Sequence, residues 1–196
     1  MNPRCSKNER ETRETKIELT LNLDGSRQTD ITTGLGFFDH MLTALAFHAN
    51  WDLTLRCEGD VFIDDHHTIE DCGLVLGEAF RNALGDRTGI TRFGSKYAPL
   101  DEALARCVID ISGRPVSEIE LGLRREMIGQ VASENLKHFF QSFAQTAKIT
   151  LHVDVLRGEN DHHRAEAAFK ATALALREAG SISSEAATVP STKGVL

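Results

Sequence analysis

Apolar and polar positions alternate from Lys16, where "KIELTLNLDGSRQTDITTG" sets Ile17, Leu19, Leu21 and Leu23 at every second place before a turn signal at Asp24-Gly25. Period two predicts half-buried strands, and the Asp-Gly pair predicts a hairpin. In "FFDHMLTALAFHA" the spacing changes to that of a helix, through Met41, Leu42, Leu45 and Ala46, and "WDLTLRCEG" returns to alternation. Asp65 reads as the N-cap of "HHTIEDCGLVLGEAFRNALG", whose Ile69, Leu74, Leu76, Ala79, Phe80 and Leu84 fit a helix ending at Gly85.

The second half repeats this order. "ARCVIDISGRP" alternates and turns at Gly113, "ENLKHFFQSFAQTA" is helical, "KITLHVDVLRG" is a strand, and "DHHRAEAAFKATALALREAG" is a helix closed by Gly180. Leu53 lies 13 residues after His40 and Leu151 lies 13 after His138; His66 lies 26 after His40 and His162 lies 24 after His138. Matching element order with matching spacing is the mark of an internal duplication. The repeats are placed at about 13–95 and 96–180, with a polar tail over 181–196. Two halves of strands, helix, strand and helix, set face to face, predict an α+β sandwich of helices with two small sheets.

Composition narrows the function. A length of 196 residues suits one domain, or two similar halves sharing a core. No apolar run approaches the roughly 18 residues that span a bilayer, so no membrane partner is expected. A net charge of -7 leaves no positive field for phosphates along a nucleic acid, which excludes that class of partner. Cys5, Cys57, Cys72 and Cys107 form no CxxC pair, which argues against disulfides and thiolate zinc and for a reducing cytoplasm. The start, "MNPRCSKNER", has no apolar core of a signal segment and is expected to fray.

The candidate chemistry lies in two echoing strings, "DDHHTIED" and "NDHHRAEA". Successive helical side chains are about 100 degrees apart, so His66 and Glu70 share a face while His67 points elsewhere. The same holds for His162, Glu166 and His163. With the halves related by a pseudo-twofold, each helix gives two ligands to one ion and one to the other; His40 and His138, at matching repeat positions, add one each. The assignment is His40, His67, His162 and Glu166 for a first ion, and His66, Glu70, His138 and His163 for a second. A lone histidine pair at a helix start would be surface decoration; repetition in register reverses that preference. Asp64, Asp65, Asp71 and Asp161 are candidates to hold the outer imidazole N–H groups, with solvated caps as the plain alternative. Nitrogen and carboxylate ligands suit manganese, iron or zinc, and many ligands with open positions favour octahedral manganese.

"FFDHM", "DDHHTIED", "APLDEA" with "DISGRP", "KHFFQSFA" and "NDHHRAEAAFKA" together resemble imidazoleglycerol-phosphate dehydratase of histidine biosynthesis, over about Arg13 to Lys193. The resemblance implies a hydro-lyase that converts imidazole glycerol phosphate to imidazole acetol phosphate with two manganese ions. An imidazolate bound through both nitrogens would expel the neighbouring hydroxyl by way of a diazafulvene-like intermediate. It implies repeats of the ribosomal-protein-S5 second-domain type and a homo-oligomer of about 24 subunits with sites shared between chains. It also implies roles. Glu14 is nominated as proton shuttle, with His48 as the second candidate, although a histidine closing its helix is the plain reading. Glu166 serves in catalysis as well as ligation, and His40, His66, Glu70 and His162 face the substrate. Arg92, Arg114, Ser191 and Lys193 match phosphate-binding positions. Lys170 could join them, its alternative being an i, i+4 ion pair with Glu166.

Two other classes fit the same residues: a dinuclear phosphate hydrolase using metal-activated water, and an assembly protein whose ions are structural only. A metal store or sensor lacks a basic DNA-reading surface and fits least.

Overall fold

The computed structural model describes residues 4–183 and 188–194. The first half contains β1 (Cys5–Glu11), β2 (Thr15–Asn22), β3 (Thr29–Thr32), α1 (Gly36–Ala49), β4 (Asp52–Gly59) and α2 (His66–Leu84). The second contains β5 (Phe93–Leu100), β6 (Ala103–Asp110), β7 (Val116–Glu120), the short β8 (Met127–Ile128) and β9 (Val131–Ala132), α3 (Ser133–Ala147), β10 (Thr150–Arg157) and α4 (Asp161–Ala179). The main sheets have orders β1-β2-β4-β3 and β5-β6-β10-β7. Each has two antiparallel pairings followed by a parallel one, so the duplication holds strand for strand.

Helices α1 and α2 cover the first sheet and α3 and α4 the second. The helices also pair across the halves, α1 with α4 and α2 with α3, and this makes a sandwich with both helix layers inside. Ile17, Leu19, Leu21, Leu53 and Leu55 of the first sheet and Ala105, Cys107, Ile109, Leu151 and Val153 of the second point inward and are buried. Between the helices, Phe38 meets Phe139 edge-on at 5.4 Å, and Phe139 stacks on Phe169 at 5.3 Å. Among the described residues no helix is long and apolar enough to cross a membrane.

Two local expectations are corrected and a third is refined. The segment after Asp24 does not fold back on β2, because Asp52 Oδ1 accepts the Ser26 and Gln28 N–H groups and carries β3 to the far side of β4, in parallel. The hairpin partner of β2 is β1, so the N-terminal residues from Cys5 are paired rather than frayed. Asp65 does stand at the N-cap of α2, but its side chain makes no cap hydrogen bond, and Asp64 Oδ1 takes the His66 N–H at 2.9 Å. Asp65 instead accepts the Ala132 N–H and the Asn135 amide, tying the start of α2 to α3.

The described residues 181–183 and 188–190 of the C-terminal segment contact residues 89–92. Ile182 bridges to Ile90, Gly89 N–H donates to Thr188 O, and Arg92 Nη1 donates to Pro190 O at 2.8 Å.

Candidate metal centre

Cross-pairing of the helices assembles two clusters. In the first, His40 of α1 meets His162 and Glu166 of α4; in the second, His138 of α3 meets His66 and Glu70 of α2. Within each cluster one candidate ligand atom per residue lies within 4.8 Å of the others. Glu166 Oε2 is 3.2 Å from His40 Nε2 and 3.1 Å from His162 Nε2. Glu70 Oε1 is 3.3 Å from His138 Nε2, and its Oε2 is 3.8 Å from His66 Nε2. His66 and His138 stack at 4.8 Å.

The donors suit a divalent cation. Two imidazoles and a carboxylate face one point, and His138 Nε2 is a buried atom without a hydrogen-bond partner among the described residues. Burial pushes the Glu166 carboxyl up, but Lys170, His40 and His162 outweigh it and hold it at about 2.

His67 and His163 are not brought to either cluster of their own chain. His67 Nδ1 meets Asp60 Oδ2 at 3.0 Å, and its Nε2 lies 3.7 Å from Glu14 Oε1. His163 Nδ1 meets Glu102 Oε2 at 2.8 Å. Both imidazoles are raised from their ordinary pKa, first by these hydrogen bonds. The Glu102 carboxyl falls to about 2, first through the Asn160 N–H and then through His163 and the Glu159 N–H.

The carboxylates that hold imidazoles are therefore Asp60 and Glu102, neither of which the sequence singled out. Of the four expected, Asp71 binds Arg10 and the Thr15 hydroxyl, Asp161 takes the Arg124 and Arg125 N–H groups, and Asp64 caps His66 through the backbone. Asp65 acts one step removed, since Asn135 links it to His66 Nδ1 at 3.1 Å. A clue to Asp60 was its place at the end of β4, seven residues before His67; Glu102, 61 residues before His163, left no local sign.

The remaining candidates fall in separate places. His48 ends α1, its pKa lowered first by burial and then by the positive charge of Lys170. Lys170 forms the i, i+4 pair with Glu166, Nζ to Oε1 at 2.6 Å, rather than joining the other basic residues. Arg92 is bidentate on Asp110 and reaches the tail at Pro190, while Ser191 Oγ accepts the Lys193 N–H. Arg114 follows β6 in the turn beyond Asp110, where its N–H donates to Ser112 Oγ.

Arg92 sits at the wrong end of α4 for the cluster that its own chain builds on that helix. The Arg92 N–H donates to Ala179 O at 2.8 Å, and Ala179 lies 13 residues beyond Glu166 on α4, about 20 Å along the axis.

A family profile described as imidazoleglycerol-phosphate dehydratase matches residues 33–176. A relative of that name from Candida glabrata is 54% identical over 205 residues, covering 95% of this chain and 97% of its own length. One from Saccharomyces cerevisiae is 50% identical over 209 residues, covering 94% of both chains. Against one from Phytophthora nicotianae the identity is 61% over 187 residues, 95% of this chain but 41% of that longer protein. A crystal structure titled with the same enzyme from Staphylococcus aureus has a TM-score of 0.82 at 36% identity, covering 91% of this chain and 98% of that one.

Proposed function

This chain belongs to the imidazoleglycerol-phosphate dehydratase family, and on that premise we propose that it dehydrates imidazole glycerol phosphate to imidazole acetol phosphate in histidine biosynthesis, with two divalent cations, most suitably manganese. The observation that carries the reading is the pair of His/His/Glu clusters related by the duplication, because a substrate ring with two nitrogens calls for two Lewis acids. Bound there, the cations would lower the ring N–H pKa and make the ring electron-rich enough to expel the adjacent hydroxyl.

The chain's own residues would do the rest. His40, His66, His138, His162, Glu70 and Glu166 position the ring through the cations, and His67 and His163 come from neighbouring copies. Glu14 accompanies His67 and serves as proton shuttle: the hydroxyl beside the ring leaves as water with a proton, the next carbon gives up its proton to the base, and the enol is reprotonated beside the ring to give the ketone. His48, biased towards neutral imidazole, is a second acceptor next to Lys170. Arg92, Arg114, Ser191 and Lys193 would hold the phosphate of a substrate bound in a neighbour's cluster. Three buried free thiols, Cys57, Cys72 and Cys107, suit a reducing cytoplasm.

An exposed apolar loop supports an assembly that shares its sites. Val61, Phe62 and Ile63, directly ahead of the His66-His67 pair, are solvent-facing, with Phe62 87% exposed. A homo-oligomer of about 24 copies is the assembly proposed.

Purified protein given Mn2+ is expected to dehydrate imidazole glycerol phosphate without releasing phosphate, and exhaustive chelation to abolish turnover and reduce particle size. Full activity in metal-free protein would refute the reading. Phosphate release would favour the hydrolase instead.

A further inference from the structure

We propose that the two cation sites differ in affinity and that Lys170 sets the difference: the His66–Glu70–His138 site fills first and the His40–His162–Glu166 site second. This rests on the metal reading above and goes beyond it, since duplicated ligands alone would give equal sites.

Duplication places Glu70 and Glu166 at the same helical step after their histidines, and the next residue on that face is Leu74 in α2 but Lys170 in α4. The Lys170 ammonium takes Glu166 Oε1 at 2.6 Å and leaves only Oε2 turned to His40 and His162. Glu70 has no lysine or arginine contact among the described residues; its two oxygens face His138 and His66. Because imidazole ligates a metal as an uncharged group, the ligand set around Glu70 carries one negative charge, whereas the Lys170 ammonium cancels that around Glu166.

A dication arriving at Glu166 thus meets a carboxylate whose charge is already balanced, and it is repelled by a fixed neighbouring cation. Solvent screens this little, because the Glu166 and Lys170 side chains are 12% and 19% exposed. The opposing effect, weaker attraction at Glu70 because it is 36% exposed, scales down a favourable interaction without cancelling it. Cancellation outweighs attenuation, so the Glu70 site is the tighter.

The asymmetry has a use. Lys170 and Glu166 are also the charges acting most on His48, so the weaker site is the one beside a proton-transfer group. The tight cation would stay in place and anchor one ring nitrogen, while the weaker one exchanges with substrate traffic.

The test is a Mn2+ binding isotherm on the assembled full-length protein at fixed pH, with free Mn2+ read by electron paramagnetic resonance. Wild type is expected to show two classes, one ion per chain in each, with dissociation constants roughly tenfold or more apart. His138→Ala should delete the tight class and His40→Ala the weak one. Lys170→Met should tighten the weak class until the two nearly merge, and Leu74→Lys, which places an ammonium one turn beyond Glu70, should weaken the tight class by a similar factor. A single class of two equal ions per chain would overturn the inference alone, as would a gap unchanged in both Lys170→Met and Leu74→Lys. No Mn2+ binding by wild type would overturn the metal reading and this inference with it.

Discussion

At the scale of single residues, His163 is aimed by a carboxylate remote in sequence. Glu102 accepts the Glu159 and Asn160 N–H groups at 3.0 and 2.8 Å through Oε1 and faces His163 Nδ1 through Oε2, so it fixes the loop and the imidazole together. With Nδ1 engaged, Nε2 is the nitrogen left to ligate. Glu102→Ala should weaken Mn2+ binding about 10- to 100-fold, with the far-ultraviolet circular dichroism unchanged; unaltered affinity would show that Glu102 has no hold on the metal. Glu178 behaves differently, as an ordinary stabilising carboxylate. Lys96 lowers its pKa from 4.5, burial opposes, and the Ser95 N–H assists. A depressed carboxyl contributes stability above its unfolded pKa and loses it as the pH falls through the folded value. Urea denaturation of Glu178→Gln should therefore differ from wild type at pH 7 and converge on it in acid. The gap at neutral pH should be below about 1 kcal/mol, because the pair is partly solvated.

At the scale of elements, the clusters depend on how closely the helices approach. A Cβ on Gly77 of α2 would come within 2.3 Å of Phe143 O and of Thr146 Oγ1 on α3, so this crossing admits only glycine. Gly77→Ala should cost about 1–3 kcal/mol, read as a lower Tm. It should also weaken cation binding at Glu70 and His138 more than at Glu166 and His40, because it moves α2 against α3. That His66 lies beside Glu70 and His162 beside Glu166 was legible in sequence because one helical turn fixes it, and that His40 and His138 join them was legible because the duplication supplied a register. Strand β1 was not: its side chains lie mostly outward on a sheet edge, so backbone pairing with β2 leaves no apolar period to read. Nor was the path of β3, decided by Asp52 from more than twenty residues away. Asp60 and Glu102 were hidden for the same reason, since a hydrogen bond across the fold has no local pattern.

At the scale of the whole molecule, the distribution of residues argues for a site made by more than one copy. One chain brings three candidate ligands to each cluster, turns His67 and His163 away from both, and sets Arg92 against the far end of α4. His67 and Glu14 lie together behind the exposed Val61-Phe62-Ile63 loop, so an arm inserted into a neighbour would deliver ligand and proton shuttle at once. Variants can separate this arrangement from a single-chain site. His67→Ala and His40→Ala should each abolish dehydration, the first by spoiling the arm and the second by spoiling the cluster. If the two variants are dissociated by chelation, mixed in equal amounts and reassembled with Mn2+, clusters from His67→Ala chains meet intact arms from His40→Ala chains. Random mixing then restores about a quarter of the sites. The dehydration assay should recover a comparable share of wild-type activity, and either variant reassembled alone should recover none. A site built within one chain would stay inactive in the mixture, because every chain carries one lesion.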